Sequence, residues 1–288
     1  MRKASGAGCV LLCPALLFTW GCMTPRTTIP PRAADALTGS AFIREVAELS
    51  LDEREARISQ EITRGNLPDF LRRLVPVAVS AGSHQGRYYV MPDYLCVGSD
   101  ADFVRMPMMP TTAQAIADRF RCVLPTRKMV DDIYAQAAVK LEPSPFSPKD
   151  YDITLVEVFR RSHERIEEQR AGWPLGLLVA GIKKDVVVTP QLFHRPGKVA
   201  IYGWHKLDGK PIQPLYLGHT ARWVDYSQCI RLIAGTMEVD GAPMQVVEVL
   251  KDPELCGLIS DEGPFDYPRP AAPASMPAGQ AAQSREER

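Results

Sequence analysis

The second half of the chain alternates short apolar runs with tight-turn signals, and this pattern restricts the fold more than any other feature. Residues 177–180, 186–188 and 199–202 are continuous apolar runs, which is typical of strands buried on both faces. Asp208-Gly209 and Asp240-Gly241 are strong signals for two-residue turns between antiparallel strands. We therefore expect a β-rich C-terminal half.

The first half contains the main helix signals. Ser50 and Glu53 form a capping box, which predicts a helix that reaches about Arg64. Further helices are predicted over 111–120, 127–138 and 153–170, while strand-like alternation begins at Val75. Together these patterns predict an α+β fold: one main mixed domain over residues 40–267, with N-terminal helices and a β-rich C-terminal half.

The N-terminus has the features of an export signal. Arg2 and Lys3 precede an apolar run over 10–20, which is too short to span a bilayer and has the length of a signal-peptide core. The run ends at Gly21-Cys22, and a small residue before cysteine is what lipoprotein processing requires. We expect a lipoprotein-type signal peptide over 1–22 with lipidation at Cys22, plain secretion and an uncleaved anchor being the alternatives. The protein would then be a periplasmic or outer-membrane lipoprotein held at the membrane by its lipid, or otherwise secreted.

Composition predicts the segments around the domain and excludes some partners. Residues 23–39 are rich in Thr, Pro and Ala and are expected to form a linker, and 268–288 are expected to form a disordered tail. The 34 basic and 34 acidic residues balance, so there is no basic field for nucleic acid or for an anionic membrane. The glycines form neither a phosphate-binding loop nor a dinucleotide fingerprint, and no nucleotide or redox cofactor is expected.

Four cysteines remain after the leader. An even number in an exported protein predicts two disulfides, and order along the chain favours Cys96–Cys122 with Cys229–Cys256. The alternative is that some of these cysteines are small buried side chains.

Chemically useful side chains are concentrated between residues 204 and 231. The candidate catalytic residues are His205, His219, Asp225, Ser227, Cys229 and Arg231. One hypothesis makes Cys229 a nucleophile, His219 its base and Arg231 or backbone amides the oxyanion donors. A second makes His205, His219 and Asp225 a zinc site. A third is structural, with the histidines hydrogen-bonded within a sheet and Cys229 in a disulfide.

The segment Ser-Gln-Cys-Ile-Arg-Leu over 227–232 resembles part of the cysteine motif of L,D-transpeptidases, which cross-link peptidoglycan. Here one glutamine replaces the His-Gly pair of that motif. A broader resemblance, over roughly 75–265, is to a group of exported bacterial proteins without an assigned function. It is carried by the segments 92–95, 102–107, 124–128, 202–205 and 211–214, and it implies a shared fold. Two histidines of that group are replaced here by Ile182 and Gln228.

These observations lead to three expectations for function. The first is an envelope-associated hydrolase or transferase that acts on peptidoglycan or another extracellular polymer. The second is a non-catalytic envelope or carbohydrate-binding lipoprotein, whose stacking surface would come from Trp173, Trp204, Tyr216 and Trp223. The third is a degenerate enzyme homologue that kept the fold and lost the chemistry. His163, among charged neighbours on a helix, is expected to be a surface residue.

Overall fold

The computed structural model describes residues 28–269. The predicted signal peptide, Cys22 and nearly all of the predicted tail therefore lie outside the described residues. Within them the helices, numbered in chain order, are α1 (Gly39–Glu45), α2 (Leu51–Thr63), α3 (Pro110–Arg119), α4 (Arg127–Gln136), α5 (Val156–Arg170) and α6 (Val246–Lys251). In this part of the chain no helix is long and apolar enough to cross a bilayer.

The strands occupy both halves but are denser in the second. They are β1 (Val75–Ala81), β2 (His84–Val90), β3 (Cys96–Ser99), β4 (Asp102–Arg105), β5 (Cys122–Val123), β6 (Val139–Lys140), β7 (Val179–Ala180), β8 (Lys184–Val187), β9 (Ala200–His205), β10 (Pro211–Tyr216), β11 (Gln228–Cys229), β12 (Ile233–Ala234), β13 (Thr236–Val239) and β14 (Ala242–Gln245). The predicted mixed α+β class, with N-terminal helices and C-terminal sheets, is confirmed.

Local chemistry explains why several elements form. The Ser50 side chain accepts from the Glu53 backbone amide, and the Glu53 side chain accepts from the Ser50 amide, so the predicted capping box opens α2. Asp240-Gly241 joins β13 to β14 as the predicted two-residue turn, whereas Asp208-Gly209 joins β9 to β10 within a longer turn closed by Lys206 and Lys210. At the second turn both Asp240 and Gly241 have positive φ, which this turn type requires.

A six-stranded antiparallel sheet forms one side of the domain. Its order is β14-β13-β2-β12-β5, and β1 pairs with β2 at Val77↔Tyr88. One face buries Val77, Tyr88 and Val90 with the apolar side chains of α6. Because β2 pairs with three strands, it is the centre of this sheet.

A second, four-stranded sheet positions the candidate site. Its order is β10-β9-β8-β11; β8 and β11 run parallel, and the other pairs are antiparallel. Val186 and Ile201 point from one face into the main core. Val187 and Tyr202 point from the other face toward Val130 of α4. The sheet therefore lies between α4 and the main core.

The first described residues pack against the domain. The Arg32 guanidinium donates to Asn66 Oδ1 at 2.9 Å and to the Leu37 carbonyl at 3.1 Å. Arg72 in turn donates to the Pro30 carbonyl at 2.8 Å. The C-terminal half of the predicted linker is thus hydrogen-bonded to the domain.

Candidate functional site

The four-stranded sheet separates the two candidate histidines. His205, at the end of β9, lies on the side of Asp185 and α4. His219 follows β10 and lies near Lys184, on the side of the main core. Two consecutive residues with positive φ, Gly203 (104°) and Trp204 (56°), precede His205 and disturb the regular alternation of the strand. Trp204 is thereby directed into the main core and His205 toward α4.

His219 belongs to an aromatic surface formed by Tyr216, His219 and Trp223. The rings of His219 and Trp223 are stacked, with centroids 4.7 Å apart and an angle of 6° between the planes. Tyr216 approaches His219 edge-on at 5.1 Å and is 44 % exposed. Partial burial lowers the pKa of His219 below its ordinary value, so the ring is neutral at neutral pH. We call this group the aromatic surface.

Asp225 holds the aromatic surface in place. Its Oδ2 accepts from Trp223 Nε1 at 3.0 Å, and its Oδ1 accepts from the Ser227 amide and hydroxyl at 2.7 and 2.5 Å. Burial alone would raise the pKa of Asp225, but nearby Lys184 and these hydrogen bonds hold it below its ordinary value. Tyr226 and Ser227 form a turn directly before β11. The hydrogen bonds of the Asp225 carboxylate therefore orient Trp223 and Ser227.

Cys229 is enclosed on the opposite side of β11 from Gln228. Its side chain packs with Val139 and Ile182 and is 0 % exposed. Burial raises the pKa of the thiol to about 11, although Lys183 acts in the other direction. A nucleophile requires an accessible thiolate next to a base, and the ring contacts of His219 are with Tyr216 and Trp223. The cysteine–histidine pair of the nucleophile hypothesis is therefore not formed in the described structure.

The expected disulfides are also not formed among the described residues. Cys96, Cys122, Cys229 and Cys256 are all free and buried. The alternative, that these are small buried side chains, describes all four. Burial raises the pKa of Cys122 to about 12, so this thiol is as unreactive as Cys229.

His205 is held between α4 and the sheet. Its Nε2 is 2.8 Å from Asp131 Oδ1, and its ring stacks on Tyr134 at 4.6 Å. The expected zinc set of His205, His219 and Asp225 does not converge, because the two histidines lie on opposite sides of the sheet. Within residues 28–269 no group of three or more His, Cys, Asp and Glu side chains is placed to hold a metal ion.

A buried polar cluster beneath α4 is the main feature that the sequence did not predict. Asp185 is 3 % exposed, and its Oδ2 accepts from Tyr94 Oη at 2.7 Å. Its Oδ1 has no hydrogen-bond partner in the described structure. Burial raises the pKa of Asp185 to about 6, against the lowering effects of Arg231, Tyr94 and His205. The cavity at this cluster measures only about 10 Å³, which is close to the minimum for one water molecule.

Arg231 has a structural role in this cluster. Its guanidinium donates to the carbonyls of Met91 and Pro92 at 3.1 Å and of Val179 at 2.7 Å. It also lies 4.3 Å above the centre of the Tyr94 ring. These contacts connect three chain segments and occupy the guanidinium that the nucleophile hypothesis assigns to an oxyanion.

A second buried ionic group fixes α5 to the strands. Arg105 is 1 % exposed, and its Nε donates to Asp93 Oδ1 at 3.0 Å. The same guanidinium contacts Glu167 Oε1 at 2.9 Å and His163 Nδ1 at 3.1 Å. Burial lowers the pKa of His163 to about 3, so its Nδ1 accepts this hydrogen bond. The expectation that His163 is a surface residue is only partly correct: the residue is half-buried, and its ring contacts Phe103 edge-on and Arg105 through Nδ1.

Comparison with known proteins gives no further identification. No protein-family model, curated protein or solved structure matches the chain. The candidate function therefore depends on the site itself.

Proposed function

We propose that this is a non-catalytic protein of the cell envelope that binds an extracellular polysaccharide, with peptidoglycan as the first polymer to test. The aromatic surface of Tyr216, His219 and Trp223 would be the binding site. The observation that carries the proposal is the parallel stack of His219 on Trp223 beside the exposed Tyr216 ring. Rigid aromatic rings with polar edges supply large contact area at low entropic cost, and the C–H faces of sugar rings pack on such rings.

The surface is preorganised for binding. Trp223 is fixed by its hydrogen bond to Asp225, and Gln228 Nε2 donates to the Trp223 carbonyl at 3.1 Å. Tyr216 lies against the backbone of Gly218, where a Cβ atom would be 2.0 Å from Tyr216 Oη. A surface that is already ordered loses less entropy when it binds.

The proposal places binding ahead of hydrolysis or group transfer because of where the candidate catalytic groups lie. Cys229 is enclosed, Asp225 is fully hydrogen-bonded, and Arg231 is bound to backbone carbonyls. Asp185, with its raised pKa, and His205, which is 3 % exposed, are further acid–base candidates, but both line a cavity of about 10 Å³ that has no room for a sugar ring. A degenerate enzyme homologue would have these properties.

The other predicted stacking residues differ in their exposure. Trp204 is 6 % exposed and packs in the main core, so it cannot contact a polymer. Trp173 follows α5 and is 51 % exposed. Trp173 therefore provides a matched control for Tyr216: a second exposed aromatic residue outside the aromatic surface.

The binding test is sedimentation with purified peptidoglycan sacculi and with an insoluble neutral glucan. We expect the wild-type protein to sediment with at least one polymer, and Tyr216→Ala to weaken binding about tenfold, as for the loss of about 1.4 kcal/mol of stacking. Trp173→Ala should bind as the wild type does. Equal binding by both variants, or release of soluble fragments from the polymer by the wild-type protein, would overturn the proposal.

Export and lipid attachment at Cys22 are part of this proposal and have their own test. Mass spectrometry of the mature protein purified from membranes should find Cys22 at the N-terminus with a diacylglyceryl modification. Unmodified Met1 in the purified protein would refute the proposed location without affecting the polymer-binding test.

A further inference from the structure

Another cavity lies where β8 ends and β9 begins, next to the segment 218–219 that carries His219 of the aromatic surface. It measures about 230 Å³ and is bordered by the 3₁₀ turn Pro190–His194 and the loop 195–199. No candidate residue from the sequence analysis lines it.

The floor of this cavity is apolar. Val186 and Val187 of β8, Val188 directly after it and Ala200 of β9 line this part of the cavity, and each is at most 2 % exposed. Phe193 also lines the cavity but is 53 % exposed, so it stands at the mouth. Small-molecule sites commonly combine such an apolar floor with a few polar groups that fix orientation.

The charged residues that line the cavity are all basic. They are Arg195, Lys198 and Arg269, and the lining contains no Asp or Glu. Arg269 is paired with Asp118. Lys198 Nζ donates to the Gly218 carbonyl at 2.9 Å, and Arg195 is exposed beside it. The rim therefore attracts an anion.

Asp118 neutralises Arg269, but the other acidic neighbour does not cancel the charge of Arg195 and Lys198. The carboxylate of Glu262 is hydrogen-bonded to residues 189–191, next to the cavity. Its Oε1 accepts from Thr189 Oγ1 at 2.9 Å and from Gln191 Nε2 at 3.2 Å. It is absent from the lining.

We propose that this cavity binds a small amphipathic monoanion, with its hydrocarbon part against the valine floor and its carboxylate at Arg195 and Lys198. A water molecule in the liquid occupies ~30 Å³. The cavity volume of about 230 Å³ therefore has room for about eight groups of that size, such as methylene groups. A medium-chain carboxylate of about that many carbon atoms fits this size.

The test is isothermal titration of the full chain with octanoate, 1-octanol and octylammonium, which share one hydrocarbon chain and differ in charge. Octanoate should bind about tenfold more tightly than 1-octanol, because charge-assisted hydrogen bonds are roughly twice as strong as neutral ones, and octylammonium should bind most weakly. Equal affinity for octanoate and octylammonium would overturn the anion specificity. Failure of octanoate to bind at millimolar concentration would overturn the site.

Variants connect the binding to these residues. Arg195→Gln should weaken octanoate about fivefold and leave 1-octanol within about twofold, since it removes the guanidinium and its charge but none of the apolar lining. Lys149→Gln, an exposed lysine outside the cavity, is the matched control. Phe193→Ala should weaken both ligands, and as an exposed residue it should not affect folding. If Arg195→Gln and Lys149→Gln bind octanoate equally, the assignment is wrong. Sedimentation with sacculi reports separately on the aromatic surface.

Discussion

Substituting Asp185 by asparagine should stabilise the protein at neutral pH. Asp185 is buried, Tyr94 donates to its Oδ2, and its Oδ1 has no partner in the described structure. Burial raises its pKa from 3.8 to about 6. Between about pH 4 and pH 6 the folded state holds this proton more tightly than the unfolded state, so the free energy of unfolding falls as the pH rises through that window. Above it the aspartate is charged in the folded protein.

The pKa difference gives the size of the effect. At about 1.4 kcal/mol per pH unit, the rise from 3.8 to about 6 makes the charged form cost about 3 kcal/mol at pH 7.5. Asparagine has the same shape without the charge, and its NH₂ stands where the hydroxyl of the protonated acid would. At pH 4.5 the acid is largely protonated in the folded protein, and proton linkage then gives a remaining cost of about 1 kcal/mol. The advantage of Asp185→Asn should therefore decrease by about 2 kcal/mol between the two pH values.

Urea unfolding of the wild-type protein and of Asp185→Asn at pH 7.5 and pH 4.5 measures this difference. Asp93→Asn is the matched control, because Asp93 is also a buried aspartate but its partner Arg105 holds its pKa below the ordinary value against the effect of burial. The control should lose about 3–5 kcal/mol at both pH values, since it removes one of the two carboxylates that compensate the buried Arg105 guanidinium and leaves only Glu167. An advantage of Asp185→Asn that is the same at both pH values, or a loss at pH 7.5, would refute the reasoning.

Three further outcomes are expected. Iodoacetamide should modify Cys229 at pH 7.5 at least about 100-fold more slowly in the native protein than in urea, because the buried thiol has a pKa of about 11; rapid native labelling would contradict its enclosure. Arg105→Met should lower the free energy of unfolding by about 3–5 kcal/mol because it leaves Asp93 unpaired, and adding Asp93→Asn should recover most of this loss. If urea unfolding shows that the losses of the two single variants add in the double variant, the pairing is contradicted. Gly218→Ala should weaken sedimentation with the polymer about as much as Tyr216→Ala does, with little change in Tm, because the new methyl group displaces the flexible end of Tyr216. Unchanged sedimentation with the polymer would show that the position of Tyr216 is unimportant.

Signals confined to a few neighbouring residues predicted the fold well. The Ser50–Glu53 capping box and the turns at Asp208-Gly209 and Asp240-Gly241 depend on backbone geometry that a short segment determines by itself. These signals were sufficient for the α+β class and for the β-rich C-terminal half.

The arrangement of the site could not be predicted in the same way. Successive side chains of a strand such as β9 normally point to alternate faces of the sheet. The positive φ values of Gly203 and Trp204 interrupt this alternation directly before His205. Positive φ at a tryptophan has no sequence signal. The zinc hypothesis requires His205 and His219 to be neighbours, whereas the structure separates them by a sheet.

Buried ions were the other feature that sequence reasoning missed. Hydropathy assigns Arg105, Lys183 and Arg231 to the surface, yet each is at most 2 % exposed. Arg105 did carry a signal, because it interrupts the apolar run 103–106. Lys183 did not: it donates to Ser162 Oγ at 2.7 Å, a partner that only the tertiary fold brings near.

The four enclosed thiols have a consequence for where this fold can form. None of them is joined to another within residues 28–269, and each is covered by the surrounding side chains. The described domain therefore needs no oxidant to reach its folded state, and the same structure is expected in a reducing cytoplasm and in an oxidising envelope. Its stability should be the same with and without dithiothreitol.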